Sequence, residues 1–104
     1  MSALTAEEFS KHLNTNFRVD LGEQKLGLKL VEVKRYLPQE HEQTDLERFS
    51  VFFDGPNYYL PQRLYSVEHE QMGRFDIFLV PIAQNGQTFR YEAVFNYYKT
   101  KPDE

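Results

Sequence analysis

The stretch Arg74–Tyr98 reads RFDIFLVPIAQNGQTFRYEAVFNYY and contains two apolar runs on either side of a turn signal. The turn signal is Asn85-Gly86, and Asn-Gly between two alternating runs favours a hairpin with a type I′ turn. The second run is long and regular, with apolar or aromatic residues at Phe89, Tyr91, Ala93, Phe95 and Tyr97. This stretch therefore predicts a long antiparallel β-hairpin whose second strand buries one face.

The first strand of this hairpin is apolar on both of its faces. Its apolar residues divide between the two parities, with Phe75, Ile77 and Leu79 on one and Phe78, Val80 and Ile82 on the other. One face must point to the core, and the other would be an exposed apolar patch, which soluble monomers seldom tolerate. We therefore predict a homodimer with two-fold symmetry through the outer face of the hairpin, to which Val94 and Tyr98 would add.

An N-terminal helix is predicted over about residues 5–14. Thr5 is its N-cap, and Glu8 three residues later completes a capping box. Phe9 and Leu13 then share the apolar side of the helix, and the polar run 14–16 is a stop signal. This helix is expected to cover one opening or one face of the β-structure that follows.

From about residue 16 to residue 98 the chain is predicted to form antiparallel strands. Leu26, Leu28 and Leu30 lie on one parity, whereas Val31 and Val33 fall on the other, and such a phase slip is typical of a β-bulge. A twisted antiparallel meander of this size tends to close on itself. The predicted fold class is mainly β: an antiparallel meander that closes into a small barrel or a highly curved sheet, with one short N-terminal helix.

The composition indicates one soluble domain. The 104 residues suffice for a single domain over 1–104, in which the polar tail 99–104 is expected to be loose. The formal net charge is −4 and charges of both signs are interspersed, so neither nucleic acid nor a membrane is an expected partner. The sequence has no cysteine, which excludes disulfides and thiolate chemistry. Without a signal-peptide pattern at its start, the chain is expected to be cytoplasmic.

Two parts of the sequence echo each other. Tyr36-Leu37-Pro38-Gln39, Glu40-His41-Glu42-Gln43 and Arg48–Phe53 are followed by similar segments at Tyr59-Leu60-Pro61-Gln62, Glu68-His69-Glu70-Gln71 and Arg74–Leu79. The three pairs are separated by different distances along the chain, so a tandem duplication would need insertions and deletions. Two explanations are open. The pattern is either an old duplication of a turn-plus-strand unit, or the result of the same residue types being used in similar turns and strands.

The two His-Glu pairs in these echoes raise the question of a metal site. Neighbouring residues of a strand point to opposite faces, so each pair would offer only one ligand per side. The sequence contains no HExxH or His-x-His pattern, and neither a metal nor another cofactor is predicted. His69 is instead expected to end a strand and hydrogen-bond a neighbour, and His41 to lie in a solvated loop.

A hydrolase triad is also not expected. Ser50 or Ser66 could be combined with His69 and with Asp54 or Asp76, but no nucleophile-elbow sequence surrounds either serine. The chain is therefore not predicted to be an enzyme.

Motifs spread over nearly the whole chain carry a resemblance. They are Leu4-Thr5 with Phe9, Phe49-Ser50, Gly55-Pro56, Leu60-Pro61-Gln62 with Tyr65, Glu68-His69, Gly73, Phe78-Leu79-Val80-Pro81 and Tyr91-Glu92-Ala93-Val94-Phe95-Asn96. With these motifs the chain resembles a family of small bacterial proteins of unknown function that begin with the same short helix. The resemblance implies no catalytic residue. The association of such genes with phage-tail-collar-like proteins implies an assembly or chaperone role.

The candidate site residues come from the polar and tyrosine positions of these motifs. Gln62, Glu68 and His69 lie on or around one predicted strand, and Tyr65 and Tyr91 could line the mouth or cavity of a barrel together with His69. The predicted function is a non-catalytic interaction or assembly module that binds a second copy or another protein. The alternative is a small-molecule-binding β-barrel, for which a large cavity would be diagnostic.

Overall fold

The structure is a computed structural model that describes residues 4–36 and 46–98. These residues form one helix and six strands: α1 Ala6–Ser10, β1 Asn16–Asp20, β2 Lys25–Arg35, β3 Leu46–Gly55, β4 Arg63–His69, β5 Gly73–Asn85 and β6 Thr88–Tyr98. Neighbouring strands are antiparallel and close into a barrel in the order β1-β2-β3-β6-β5-β4. The predicted fold class is confirmed, while the predicted loose tail lies outside the described residues.

The barrel consists of two three-strand meanders, β1-β2-β3 and β4-β5-β6. They join through a long ladder between β3 and β6, which runs from Leu46 opposite Tyr98 to Gly55 opposite Phe89. A short ladder between β1 and β4, centred on Val19 opposite Val67, completes the closure. In this strand order the consecutive strands β3 and β4 are not neighbours, so closure depends on contacts between residues far apart in the sequence.

The middle strand of the first meander bends and changes partner. β2 pairs with β1 as far as Lys29 and with β3 from Lys29 onward. Its register with β3 shifts between Leu30 and Glu32, at the place where the sequence parity slips. A bulge lets a strand bend out of one sheet and into another, so this position forms a corner of the barrel. The bulge predicted in this segment is confirmed.

The middle strand of the second meander, β5, also bends and changes partner. β5 pairs with β4 as far as Leu79 and with β6 from Val80 onward, and its register shifts between Pro81 and Ala83. Because proline has no N–H to donate, it is well placed where a strand leaves its neighbour. The two meanders therefore share a design in which the central strand turns a corner.

The echoed sequence segments do not match this structural repeat. By position in the meanders, β2 corresponds to β5 and β3 corresponds to β6. The echoed strands are instead β3 and β5, which lie on either side of β6. This arrangement favours the use of similar residue types in two separate strands over the duplication of a folding unit. The first Glu-His-Glu-Gln copy, which includes His41, lies outside the described residues.

Inward-facing side chains fill the barrel, and many of them are aromatic. The fully buried ones include Phe17, Val19, Leu28, Leu30, Phe49, Val51, Phe53, Val67, Leu79 and Tyr91. Phe9 of α1 is also fully buried, and its ring centroid lies between 5.5 and 6.2 Å from those of Phe17, Phe49, Phe75 and Phe95. These distances are favourable for aromatic pairs. Since rings from four different strands surround Phe9, α1 covers one opening of the barrel.

The helix is shorter than predicted and presents a different side to the core. Thr5 caps it as predicted, because its hydroxyl accepts the Glu8 N–H at 3.0 Å. The helix ends at Ser10, however, and Asn14 takes a left-handed conformation with φ 67°. Leu13, expected beside Phe9, is therefore 38% exposed, and His12 is buried in its place. In the described residues no helix is long and apolar enough to cross a membrane.

The hairpin of β5 and β6 forms as predicted, but its turn is displaced by one residue. Asn85 pairs with Thr88, so Gly86 and Gln87 occupy the centre of the turn. Of these two residues only Gly86 has a positive φ, at 66°. A type I′ turn requires positive φ at both central residues, whereas a type II′ turn requires it only at the first. The predicted type I′ turn is therefore wrong, because Asn85 belongs to the strand.

Candidate functional site

Tyr65 and Tyr91 lie inside the barrel and hold the connection between β3 and β4. Tyr91 is fully buried, and its hydroxyl donates to the Tyr58 carbonyl at 3.1 Å and accepts the Leu60 N–H at 2.9 Å. The Tyr65 hydroxyl donates to the Pro61 carbonyl at 2.6 Å. Burial raises the pKa of both phenols, so they remain protonated at neutral pH. The polar atoms of both tyrosines are thus engaged within the chain.

Glu68 points to the outer surface of the barrel, where it gathers three cations. Its carboxylate accepts hydrogen bonds from Lys25 at 3.1 Å, from Arg18 at 3.3 Å and from Arg74. The hydrogen bond from Lys25, followed by that from Arg18, holds the pKa of Glu68 below its ordinary value. Gln62 is exposed in the loop before β4. The candidate residues therefore do not converge on one site: the two tyrosines are internal, whereas Glu68 and Gln62 face solvent.

Replacing Glu68 with Gln is expected to destabilise the fold. The change removes the carboxylate that Arg18, Lys25 and Arg74 share, and the three cations would then repel one another. Because salt screens exposed charges, the loss in melting temperature should shrink as the NaCl concentration rises. Thermal unfolding at low and high salt measures this, with the exposed Glu23→Gln as the control. The same loss at every salt concentration would contradict an electrostatic role.

His69 ends β4, as predicted, and lies at the bottom of a cleft. The cleft measures about 360 Å³, and its lining is mostly polar: His12, Thr15, Asn16, Arg18, His69, Glu70 and Gln71. The ring of His69 lies between those of His12 and Phe17, with centroid distances of 4.6 and 4.3 Å. His69 Nδ1 accepts the backbone N–H groups of Gln71 at 3.0 Å and Met72 at 3.1 Å. His69 therefore shapes the turn that joins β4 to β5.

These bonds fix the tautomer of His69 and with it the chemistry available in the cleft. Because Nδ1 accepts two N–H groups, the proton of the neutral ring lies on Nε2 and is donated to Thr15 Oγ1 at 3.0 Å. Thr15 in turn donates to the His12 carbonyl at 2.6 Å. A general base would need the opposite tautomer, with a free Nε2 lone pair facing the hydroxyl. The pair is therefore arranged for structure and not for activation of a nucleophile.

The two histidines are also poorly arranged for a metal ion. Both ring nitrogens of His69 are engaged in hydrogen bonds, and His12 Nε2 lies 3.5 Å from the carboxylate of Glu8. In the described part of the chain, no three His, Cys, Asp or Glu side chains are grouped as a metal ion would require.

A second candidate lies on the outside of the barrel. Leu64, Phe78, Ile82 and Val94 are 61%, 47%, 44% and 63% exposed, and Val80 is half-buried. We call these five residues the apolar face. Leu64 lies opposite Phe78 in the β4–β5 ladder, and the face reaches across the adjacent strands β4, β5 and β6. The exposure predicted for Phe78, Ile82 and Val94 is confirmed, whereas Val80, predicted to be exposed with them, is half-buried. The side chain of Tyr98 lies outside the described residues.

Two charged groups that share the outer surface with the apolar face, Glu92 and Arg90, are paired within the chain. Glu92 accepts a hydrogen bond from Ser50 at 2.7 Å, and the Ser50 hydroxyl also bonds that of Tyr36 at 3.1 Å. Arg90 donates twice to the carboxylate of Asp54, at 2.7 and 3.1 Å. Neither of these two groups needs a counter-charge from outside the chain.

Sequence reasoning missed His12, Thr15 and Leu64. His12 could have been found from its position, because a residue three places after the buried Phe9 lies on the same side of a helical turn. Leu64 could have been found from parity, because it precedes the inward-facing Tyr65. Thr15 carries no local signal, since its partner His69 is 54 residues away.

Comparison with known proteins places the chain in a family. The model of a domain of unknown function, DUF6916, matches residues 4–95, which include α1, all of β1 to β5 and most of β6. No curated protein and no solved structure matches the chain significantly. The chain thus belongs to the DUF6916 family, whose function is unknown.

Proposed function

We propose that the protein is a non-catalytic assembly module that binds through its apolar face, and that its first partner is a second copy of itself. The observation that carries the proposal is the exposure of large apolar side chains on three adjacent strands. Apolar surface of this kind on a soluble protein marks a contact site. The His69 cleft contributes no activated group, so it does not favour an enzyme instead.

A second copy fits this face by its charge. Two charged groups on the same surface are satisfied internally, with Glu92 bonded to Ser50 and Arg90 bonded to Asp54. A partner surface with an unpaired charge would find no counterpart and would be penalised on desolvation. The apolar face of a second copy has the required neutrality, and two-fold symmetry would let each copy present the same residues to the other.

The small-molecule barrel is supported less well. Its expected lining, Tyr65, His69 and Tyr91, uses its polar atoms for bonds within the chain. Fully buried side chains such as Phe17, Phe53 and Leu79 occupy the inward positions. The resemblance is to a family whose genes are associated with phage-tail-collar-like proteins, which agrees better with an assembly role. We therefore include tail assembly in a bacterial cytoplasm in the proposal.

Substitution of the apolar face is expected to abolish self-association. Sedimentation velocity over about three decades of concentration should show a monomer–dimer equilibrium for the unmodified chain. Phe78→Glu and Val94→Glu should remain folded and stay monomeric, because each places a charge in the interface and both side chains are substantially exposed in one copy.

Tyr58→Glu is the matched control, since Tyr58 is 47% exposed like Phe78 but lies in the loop between β3 and β4. It should associate like the unmodified chain. An unmodified chain that stays monomeric throughout, or a Tyr58→Glu variant that dissociates as fully as Phe78→Glu, would overturn the proposal.

A further inference from the structure

A second cleft lies at the end of the barrel opposite α1. Phe9 of α1 packs against Phe17 and Phe49, near the starts of β1 and β3, whereas this cleft lies beyond the ends of the same two strands, at Asp20 and Gly55. The cleft measures about 520 Å³ and is lined by Leu21, Gly22, Glu23, Gln24 and Tyr58. We call it the tyrosine cleft, and it shares no residue with the apolar face or with the His69 cleft.

The backbone is fixed on both sides of the tyrosine cleft. On one side, the buried hydroxyl of Tyr91 donates to the Tyr58 carbonyl and so holds the loop between β3 and β4. On the other side, the turn between β1 and β2 is closed by the Leu21 N–H, which donates to the Gln24 carbonyl at 2.9 Å. A site whose walls are already ordered loses little conformational freedom when a ligand binds.

The side chains that line the tyrosine cleft are available, in contrast to those of the His69 cleft. Tyr58 is 47% exposed, and within the part of the chain that the structure describes neither its ring nor its hydroxyl has a partner. The exposed Glu23 carboxylate and Gln24 amide likewise have no hydrogen bond or ion pair to another described residue. The cleft therefore offers an aromatic face, a carboxylate and an amide to a ligand from outside the chain.

The charges of the turn favour a cationic ligand. The ammonium group of Lys25 is bonded to Glu68 at 3.1 Å, and Asp20 is paired with Arg74 at 3.1 Å. Glu23 is thus the one charge of this turn that no described residue compensates. A ligand that brings a positive charge would complete the pairing, whereas an anion would be repelled.

We propose that the tyrosine cleft binds an arginine side chain presented by another protein. A guanidinium group is planar, so its face can stack on the ring of Tyr58 while its in-plane N–H groups donate to the carboxylate of Glu23. The carbonyl oxygen of the Gln24 side chain can accept a further N–H. An ammonium group has no flat face and cannot make the stacking contact in the same way. The assembly module thereby gains a second partner at a site separate from its apolar face.

An NMR titration of the full chain with a blocked Gly-Arg-Gly peptide tests this site. We expect saturable shifts of the backbone amide signals of Gly22, Glu23, Gln24 and Tyr58, with a Kd on the order of millimolar because only one side chain is bound. A Gly-Lys-Gly peptide should bind about threefold more weakly. A peptide with citrulline, which keeps the shape of arginine but lacks its charge, should not bind.

Three outcomes of this titration would overturn the proposal. The first is an arginine peptide that produces no saturable shift at these amides. The second is a citrulline peptide that binds as tightly as the arginine peptide, since the cleft would then not recognise charge. The third is saturable binding of maltose in place of the arginine peptide, which would assign the exposed tyrosine ring to a carbohydrate.

Glu23→Gln and Tyr58→Leu should each weaken binding of the arginine peptide by about three- to fivefold, because each removes one of the two main contacts. The matched controls are Glu7→Gln, an exposed carboxylate of α1, and Tyr59→Leu. Tyr59 is 55% exposed beside Tyr58, but its ring packs on Phe89 at 5.5 Å and does not line the cleft. Both controls should bind like the unmodified chain. Unchanged affinity in Glu23→Gln, or an equal loss in Glu7→Gln, would contradict the proposal.

Sedimentation velocity of Glu23→Gln identifies the source of the arginine. The variant should self-associate like the unmodified chain, because the tyrosine cleft has no residue in common with the apolar face. Loss of self-association in this variant would mean that a second copy supplies the arginine, and the assignment to another protein would then be wrong.

Discussion

Phe9→Ala is expected to lower the free energy of unfolding by about 3–5 kcal/mol, the usual cost of truncating a large buried aromatic side chain. Phe9 is fully buried, and its ring contacts those of Phe17, Phe49, Phe75 and Phe95. No other part of the five-residue helix can replace these contacts, because Ala6 is the other buried residue of α1. A domain of this size has about 5–15 kcal/mol of stability in total, so the loss would be a large share of it.

Urea unfolding measures this loss, with Leu13→Ala as the control. Leu13 is 38% exposed, so its truncation should cost about 0.5 kcal/mol or less. A smaller dependence of the free energy on urea in Phe9→Ala would show that residues 4–15 have already left the barrel in the native state. A Phe9→Ala variant as stable as the control would contradict the role of Phe9 in closing the barrel.

The features that could be predicted from the sequence are those that a few neighbouring residues determine. Thr5 and Glu8 define the helix start, since the cap is a bond between residues three apart. The alternation of β6 determines its inward face, and Leu30 with Val31 marks the bulge of β2 because the parity changes there. In each case the signal and the structure lie within one turn or one strand.

The features that could not be predicted are of two kinds. Some depend on partners far away in the sequence, and one is a register shift in a strand that is apolar on both faces. The bulge of β5 leaves no mark in the sequence, because that strand is apolar on both parities around Val80 and Ile82 and a slip alters neither. The pairing of β3 with β6 joins residues on either side of an entire hairpin. Among the candidate site residues, Tyr91 was assigned to a mouth or cavity, but its partner Leu60 is 31 residues away and could not be identified from spacing.

Two of these missed features, the pairing of β3 with β6 and the hydrogen bonds of Tyr91, explain how the barrel closes. The strand β3 must return to β4 around the end of the barrel without pairing with it, and the connecting loop carries the exposed Tyr58 and Tyr59. Tyr91 holds this loop at both Tyr58 and Leu60. The buried hydroxyl of Tyr91 therefore fixes the position of this loop, whereas backbone hydrogen bonds between strands fix the other parts of the barrel.

Tyr91→Phe is accordingly expected to lower the free energy of unfolding by about 1–3 kcal/mol, the cost of leaving a buried N–H without an acceptor. The variant keeps the aromatic ring, so packing against the core is retained, and the Leu60 N–H loses its partner in a place where the residue is 2% exposed. Tyr65→Phe is the matched comparison. It also removes one phenol hydroxyl, but it frees only the carbonyl of the exposed Pro61, which water can reach, so its loss should be clearly smaller. Urea unfolding gives both values, and faster amide exchange at Leu60 in Tyr91→Phe alone would locate the effect in the loop. Equal losses in the two variants would mean that the loop is held by packing, and the role assigned to the Tyr91 hydroxyl would then be wrong.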